Sequence, residues 1–249
     1  MIDAAQKLRV LVVHGFASNG HAFKKRTSAL QKACRDVADL IFLDAPIQVQ
    51  ALPSEANPEP GPPNPDDPIE KQALAWWRHN NDQYEGWADT AKFLERKFQE
   101  LGPFDGVLGF SQGGCLAGVL AAALEHPELV PDFHGTFQRE RFRFMISVSG
   151  FRARPDAFQA LMDAKIATPA LIIRGKEDMI VPPQLTETLV EVCSNVRVAE
   201  HGGGHYLPTP APWRNFVRDY IEAFRSGQPD AWRTIPAPPC EEENSDSKL

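Results

Sequence analysis

The sequence has no basic tract. Its 26 Lys and Arg are scattered among 33 Asp and Glu, and the formal net charge is -7, so the electrostatic footprint of a nucleic-acid partner is missing. Long apolar runs are missing too. Leu8 to Val13, the longest near the start, is far short of the roughly 20 residues that cross a bilayer, and no small-residue cleavage site accompanies it. The expectation is a cytoplasmic protein with no membrane span. The four cysteines, Cys34, Cys115, Cys193 and Cys240, have no CxxC spacing, which argues against a disulfide scaffold or a zinc site and for free thiols. No internal repeat is present.

What is present suits one large core. With 249 residues and 43% hydrophobic content, the chain matches a single α/β domain, placed at residues 1–226. Short β-branched runs alternate with helical patterns: strands at Lys7 to Val13, Asp39 to Leu43, Phe104 to Leu108, Phe144 to Ser149, Ala170 to Ile173 and Val196 to Glu200. Helices are expected at about His21 to Val37, through Trp87, Ala91, Leu94, Phe98 and Leu101, at Gly114 to Glu125, Pro155 to Met162 and Pro183 to Val192, and along the stripe from Trp213 to Phe224. This alternation predicts a mostly parallel central sheet with helices on both faces. The irregular stretch Pro131 to Arg143 is the expected source of a small lid. Residues 52–68, rich in proline and acid with almost nothing to bury, read as a mobile surface loop, and 227–249 as a disordered acidic tail.

The informative stretch is Gly109-Phe110-Ser111-Gln112-Gly113, a G-x-S-x-G set between a buried strand and an alanine-rich helix. A serine hydroxyl lifted out of a strand needs a sharp turn, and glycines on both sides remove the Cβ atoms that would collide. A serine is a weak nucleophile unless a histidine takes its proton and a carboxylate orients that histidine. Both follow on strand-end loops: Asp178 in Arg174-Gly175-Lys176-Glu177-Asp178, and His205 in His201-Gly202-Gly203-Gly204-His205. The chain order serine, acid, histidine is that of α/β-hydrolases. Asp178 is preferred to Glu177 because of the valine-proline that follows it. His205 is preferred to His201 because three glycines carry it to the loop tip, which leaves His201 as a strand-end surface residue. A tetrahedral intermediate also needs two backbone donors, for which the N–H groups of Gln112 and Phe16 are the candidates. Trp76, Trp77 and Phe151 are candidate walls of an apolar pocket.

These motifs resemble the FSH family of serine hydrolases, whose animal members are the ovarian-cancer-associated protein-like hydrolases. The likeness runs through Leu11-Val12-Val13-His14-Gly15-Phe16, Asn19-Gly20 with Phe23, Asp44-Ala45-Pro46, Trp76-Trp77, Gly109 to Gly114, Ser149-Gly150-Phe151 and Gly203-Gly204-His205 with Pro208. Ser18 stands where the family pattern has glutamine, and the proline-rich stretch is longer than that pattern requires. The resemblance implies an α/β-hydrolase fold and a Ser111-Asp178-His205 triad. It implies hydrolysis of carboxylic esters or acyl thioesters through an acyl-serine, with no metal or organic cofactor. Some fungal members release chains from polyketide synthases, which brings in an acyl-carrier domain as a partner beside small-molecule esters. Two alternatives stay open at this level: acyl transfer by the same triad, and a non-catalytic binding protein on the same fold.

Overall fold

The computed structural model describes residues 6–55, 57–80, 83–133, 140–225 and 230–240. In chain order its strands are β1 (Leu8–Val13), β2 (Ala38–Leu43), β3 (Ile47–Gln48), β4 (Leu74–Ala75), β5 (Arg78–Asn80), β6 (Gln83–Glu85), β7 (Gly106–Phe110), β8 (Phe144–Val148), β9 (Ala170–Gly175) and β10 (Val196–His201). Its α-helices are α1 (Gly20–Arg26), α2 (Ser28–Cys34), α3 (Trp87–Leu101), α4 (Gln112–Glu125), α5 (Gln159–Asp163), α6 (Pro183–Val190) and α7 (Ala211–Ala223).

Six strands form one parallel sheet in the order β10-β9-β8-β7-β1-β2. Alternate residues of each strand serve two cores, as the period of two requires. Leu11, Val13, Val107, Met145 and Ile172 face the core built with α3, α4, α5 and α6. Val10, Val12, Leu108, Ile146 and Ile173 face the core built with α1, α2 and α7. The expected arrangement of helices on both faces is therefore present. Helix α4 is buried along nearly its whole length, which explains its apolar, alanine-rich sequence. Gly114 and Gly118 let it approach Gly150 and Leu189, where a Cβ would stand 2.8 and 2.9 Å from neighbouring atoms.

Two expectations are corrected. The single helix from His21 to Val37 is two helices broken at Thr27, whose buried hydroxyl bonds back to the Phe23 carbonyl at 2.8 Å and draws the backbone out of helical geometry. The unstructured tail starting at 227 does not describe 230–240. There Trp232 is buried against Tyr220 and Phe224, and Arg197 donates to the carbonyls of Trp232 and Ile235. One indole with a core to enter outweighs the polar average of its neighbours. Residues 227–229 and 241–249, the rest of that expectation, lie outside the described residues, as do 134–139 of the expected lid stretch. Between β2 and α3 the chain leaves the sheet and carries two small antiparallel pairs, β3-β4 and β5-β6.

The described residues of 52–68 form no strand or helix, as expected, apart from a bridge between Ser54 and Asn57. Side-chain amides nonetheless pin the stretch. Gln48 Nε2 donates to the Asn64 carbonyl at 2.7 Å, Gln50 Nε2 to the Pro60 carbonyl at 2.8 Å, and Gln72 Nε2 to the Asp67 carbonyl at 2.6 Å. Among the described residues no helix is long and apolar enough to cross a membrane.

Candidate active site

Strand β7 delivers Ser111 at its C-terminal end, and α4 begins at the next residue. The serine sits at φ 56°, ψ -117°, a left-handed backbone region that an L-residue occupies only when its surroundings force it. The glycines of the motif show what forces it. A Cβ on Gly109 would lie 2.0 Å from the Gly113 carbonyl oxygen, and one on Gly113 would lie 2.2 Å from that of Val13. The turn closes only because both positions lack side chains.

The two partners arrive from loops after β9 and β10. Ser111 Oγ is 3.0 Å from His205 Nε2, and His205 Nδ1 is 2.8 Å from Asp178 Oδ2. An ionised carboxylate only accepts, so Nδ1 carries the proton and Nε2 presents its lone pair to the serine hydroxyl. Asp178 Oδ1 accepts from the amides of Ile180 (3.0 Å) and Val181 (2.8 Å). Burial pushes the Asp178 carboxyl up, but the Val181 amide, His205 and the Ser149 hydroxyl together hold it below the ordinary value. The acid and base loops are laced to each other by Lys176 N–H to the His201 carbonyl (2.8 Å) and Glu177 N–H to the Gly203 carbonyl (3.1 Å). Gly175 makes that approach possible, since a Cβ there would stand 2.3 Å from the Gly204 oxygen. Phe110 packs on the His205 ring at 4.8 Å.

The alternatives separate clearly. Glu177 is exposed, whereas Asp178 is buried. His201 is not the surface residue expected. It is buried, contacts Tyr206 and Trp213, and accepts from the Gly203 amide at 3.3 Å. Burial lowers its pKa, against the pull of Asp178. It is packed beneath the loop whose tip carries His205, because strand β10 runs one residue further than the sequence pattern indicates.

On the other side of the serine, the loop after β1 brings Gly15 against the nucleophile, where a Cβ would lie 3.3 Å from Ser111 Cβ. Of the candidate oxyanion donors, Gln112 is the first residue of α4, directly after Ser111, and Phe16 directly follows Gly15 in the loop after β1. His14 anchors the loop from below. Its Nε2 accepts from the Ala45 amide at 3.1 Å, so Nδ1 carries the proton to the Gly15 carbonyl, 2.7 Å away. Burial lowers the His14 pKa to about 4, which keeps the ring neutral. Asn19 caps α1 through the Ala22 amide (2.7 Å) and donates to the carbonyls of Gln72 (2.8 Å) and Glu70 (3.2 Å), and Asp44 accepts from the Gly20 amide at 2.7 Å. Ser18, at the position of departure from the family pattern, exchanges backbone hydrogen bonds with Leu74 (3.2 and 2.7 Å).

Trp76 and Trp77 are not pocket walls. Both are sealed in the core: Trp76 Nε1 donates to the His14 carbonyl at 2.9 Å, and Trp77 stacks on Tyr84 at 4.2 Å. Sequence reading placed them near the site but could not tell a lining indole from a buried one, since either fills space well. Phe151 is half-buried at the margin of the first core, directly after Gly150. One functional contribution went unread in the sequence. The Gln112 side chain accepts from the Trp76 amide (3.0 Å) and donates to the Trp77 carbonyl (2.9 Å), so the elbow is tied to the β4 segment. The only available signal was a polar amide inside an otherwise apolar helix. Among the described residues no cluster of three or more His, Cys, Asp or Glu is placed to hold a metal ion.

A family model described as serine hydrolase (FSH1) matches residues 2–217. The chain is 34% identical over 234 residues to Esterase OVCA2 of Xenopus tropicalis, spanning 89% of this chain and 96% of that one. It is 30% identical over 245 residues to Esterase OVCA2 of Homo sapiens, spanning 89% and 99%. A Schizosaccharomyces pombe protein named dihydrofolate reductase is 31% identical over 239 residues, with 90% of this chain aligned to 49% of that longer one. Among solved structures, esterase PE8 matches with a TM-score of 0.56 at 18% identity, covering 88% of this chain and 94% of that chain. Zea mays acyl-protein thioesterase 2 matches with a TM-score of 0.55 at 18% identity, covering 90% and 96%. At that identity the likeness is one of fold, the α/β-hydrolase fold.

Proposed function

The chain belongs to the serine hydrolase (FSH1) family, and we propose that it hydrolyses carboxylic esters and acyl thioesters through an acyl-serine on Ser111. The observation that carries this reading is the unbroken relay from Ser111 Oγ through His205 to Asp178, at 3.0 and 2.8 Å. Ser111 Oγ attacks the carbonyl carbon as His205 Nε2 takes its proton. The backbone N–H groups of Gln112 and Phe16 receive the developing oxyanion, aided by the positive end of α4. His205 returns the proton to the departing alcohol or thiol, and water activated by the same imidazole releases the acid and restores the serine. Asp178 keeps the imidazole in the working tautomer and stabilises its cation. The naming of relatives as esterases supports this reading. The oxyanion donors act on the carbonyl oxygen whichever atom leaves, so a thioester held on a carrier domain falls within the same chemistry.

The test is Ser111→Ala, assayed on matched ester and thioester substrates and with a fluorophosphonate probe. Loss of labelling and a fall of at least about a thousandfold in turnover are expected, with folding unchanged because the hydroxyl sits on a turn rather than in the core. Turnover close to wild type in a folded Ser111→Ala protein would overturn the proposal.

A further inference from the structure

Ser149, directly after β8, has a backbone and a burial that neither the core nor the three relay residues explain. Its φ is 48°, in the left-handed region where a residue with a Cβ is strained and glycine is not. The neighbouring contact is the cause. Gly150 packs so closely on α4 that a Cβ there would lie 2.7 Å from the Gly114 carbonyl carbon, and the chain turns at 149 to make that approach. The position keeps a serine although glycine would relieve the turn. Its side chain is fully buried, and among the described residues no acceptor is aligned with its hydroxyl. A buried hydroxyl left in that state costs free energy, so its presence needs a cause.

The acceptor comes from the next strand. Ser149 N–H donates to the Ile173 carbonyl of β9 at 2.8 Å, and the loop leaving β9 carries Asp178. An ionised carboxylate offers about four lone-pair sites. On Asp178 the amides of Ile180 and Val181 fill two on Oδ1, and His205 Nδ1 fills one on Oδ2, which leaves one on the oxygen that orients the base. The Asp178 side chain has no exposed surface, so bulk water does not supply that donor. The Ser149 hydroxyl stands near enough to help hold the Asp178 carboxyl below its ordinary value. We infer that Ser149 is a positioning residue of the relay, whose hydroxyl donates to the remaining site of the Asp178 carboxylate and comes into full alignment as His205 becomes an imidazolium. Hydrogen bonds that are loose in a resting site tighten in this way as charge develops. The hydroxyl keeps its own proton throughout. Since the Gly114-Gly150 contact sets the turn at 149, the helix that follows the nucleophile also sets the acid. The inference rests on the Ser111-His205-Asp178 relay of the proposed function.

The experiment compares Ser149→Ala and Ser149→Gly with wild type by urea unfolding, by kcat and KM for a 4-nitrophenyl ester across the pH range, and by fluorophosphonate labelling of Ser111. Ser149→Gly removes the hydroxyl and the strain together, so its urea midpoint is expected to stay near that of wild type, relief of strain offsetting the freedom glycine adds to the unfolded chain. Both variants are expected to lose about tenfold in kcat on the pH plateau with little change in KM, the size of a hydrogen bond to a charged group. The acid limb of the kcat/KM profile is expected to move to higher pH, because a carboxylate with one donor fewer turns more of its charge on the imidazole. His201 also feels the Asp178 charge, so the profiles are repeated in a His201→Ala background, where the displacement is expected to persist. An acid limb that stays in place in both variants overturns the inference and leaves Ser149 a packing residue, whatever happens to stability. A wild-type kcat in folded Ser149→Gly overturns it as well. Labelling separates the two levels. Wild type that labels and turns over, with variants that behave like it, sinks only the role of Ser149, whereas wild type that neither labels nor cleaves any ester sinks the hydrolase reading beneath it.

Discussion

The two sides of Ser111 are built by different means. On the relay side, loops of a few residues leave adjacent strands, cross each other with backbone hydrogen bonds, and bury Asp178 against its own loop amides. On the β1–β2 side, the chain makes a long excursion between β2 and α3, whose β3-β4 pair and Trp76, Trp77 and Tyr84 are packed into buried cores, whereas the described residues of 52–68 are held by single side-chain amides. The relay must hold three atoms at hydrogen-bond distance, which favours short loops on neighbouring strands. The proline-rich stretch buries little and can vary without disturbing the sheet. Tolerance to change is therefore expected to be low on the relay side and high in the proline-rich stretch.

The sharpest way to break that comparison lies within the relay loop itself. His205→Ala is expected to lower kcat by about a thousandfold or more, a loss of about 4 kcal/mol of transition-state stabilisation. His201→Ala is expected to lower kcat only a few-fold while reducing thermal stability, since His201 packs beneath the loop. Steady-state kinetics with melting curves on both variants decide it. A dead but folded His201→Ala with an active His205→Ala would reverse the assignment of the base.

A pH titration of stability comes next in size and probes the loop after β1 from below. His14 has its folded pKa lowered from 6.5 to about 4, so the unfolded chain binds a proton that the folded protein refuses. Its contribution is full above pH 6.5 and is lost as pH falls toward 4, by up to about 3 kcal/mol. His201, also lowered by burial, adds to the same slope. The measure of the His14 share is thus the difference between wild type and His14→Asn in urea midpoints from pH 7 to pH 4, with a shallower slope expected in the variant. Asp178 acts elsewhere on the scale. Its depressed pKa means that its contribution persists above the ordinary carboxylate value and is lost only as pH falls through the lower folded value. Equal slopes in wild type and His14→Asn would remove the buried-histidine account of how the loop after β1 is anchored.

The smallest effect tests the link between the two sides. Gln112→Ala leaves the buried Trp76 N–H and Trp77 carbonyl without their side-chain partner, at a cost of about 1–3 kcal/mol in unfolding free energy. A loss of kcat with little change in KM is expected beside it, because the elbow is loosened while the rest of the site is left in place. An unfolding free energy equal to wild type would show that the tie contributes nothing.

The chemistry was legible because each member of the relay is announced locally. The glycines at 109 and 113 are dictated by carbonyls within the same turn and the neighbouring strand end, and Asp178 and His205 each sit where an apolar run stops. The alternation of runs likewise read out a parallel sheet with helices on both faces. Where reading fell short, distance along the chain was the reason. Trp76 and Trp77 stand next to motif residues yet are sealed by His14, Phe93 and Tyr84 from far along the sequence. Trp232 lies in a segment whose composition reads as tail, and only the presence of α7 gives it a core to enter.

The sequence by itself determined the serine elbow, the chain order of Ser111, Asp178 and His205, the family and the class of fold, since these depend on residue type, glycine placement and local hydrophobic period. Only the tertiary structure decided which histidine reaches the serine, that the paired indoles belong to the core, and that Trp232 completes the second one. Those outcomes depend on which strands become neighbours, and neighbours in a parallel sheet are joined by connections too long for any local pattern to specify.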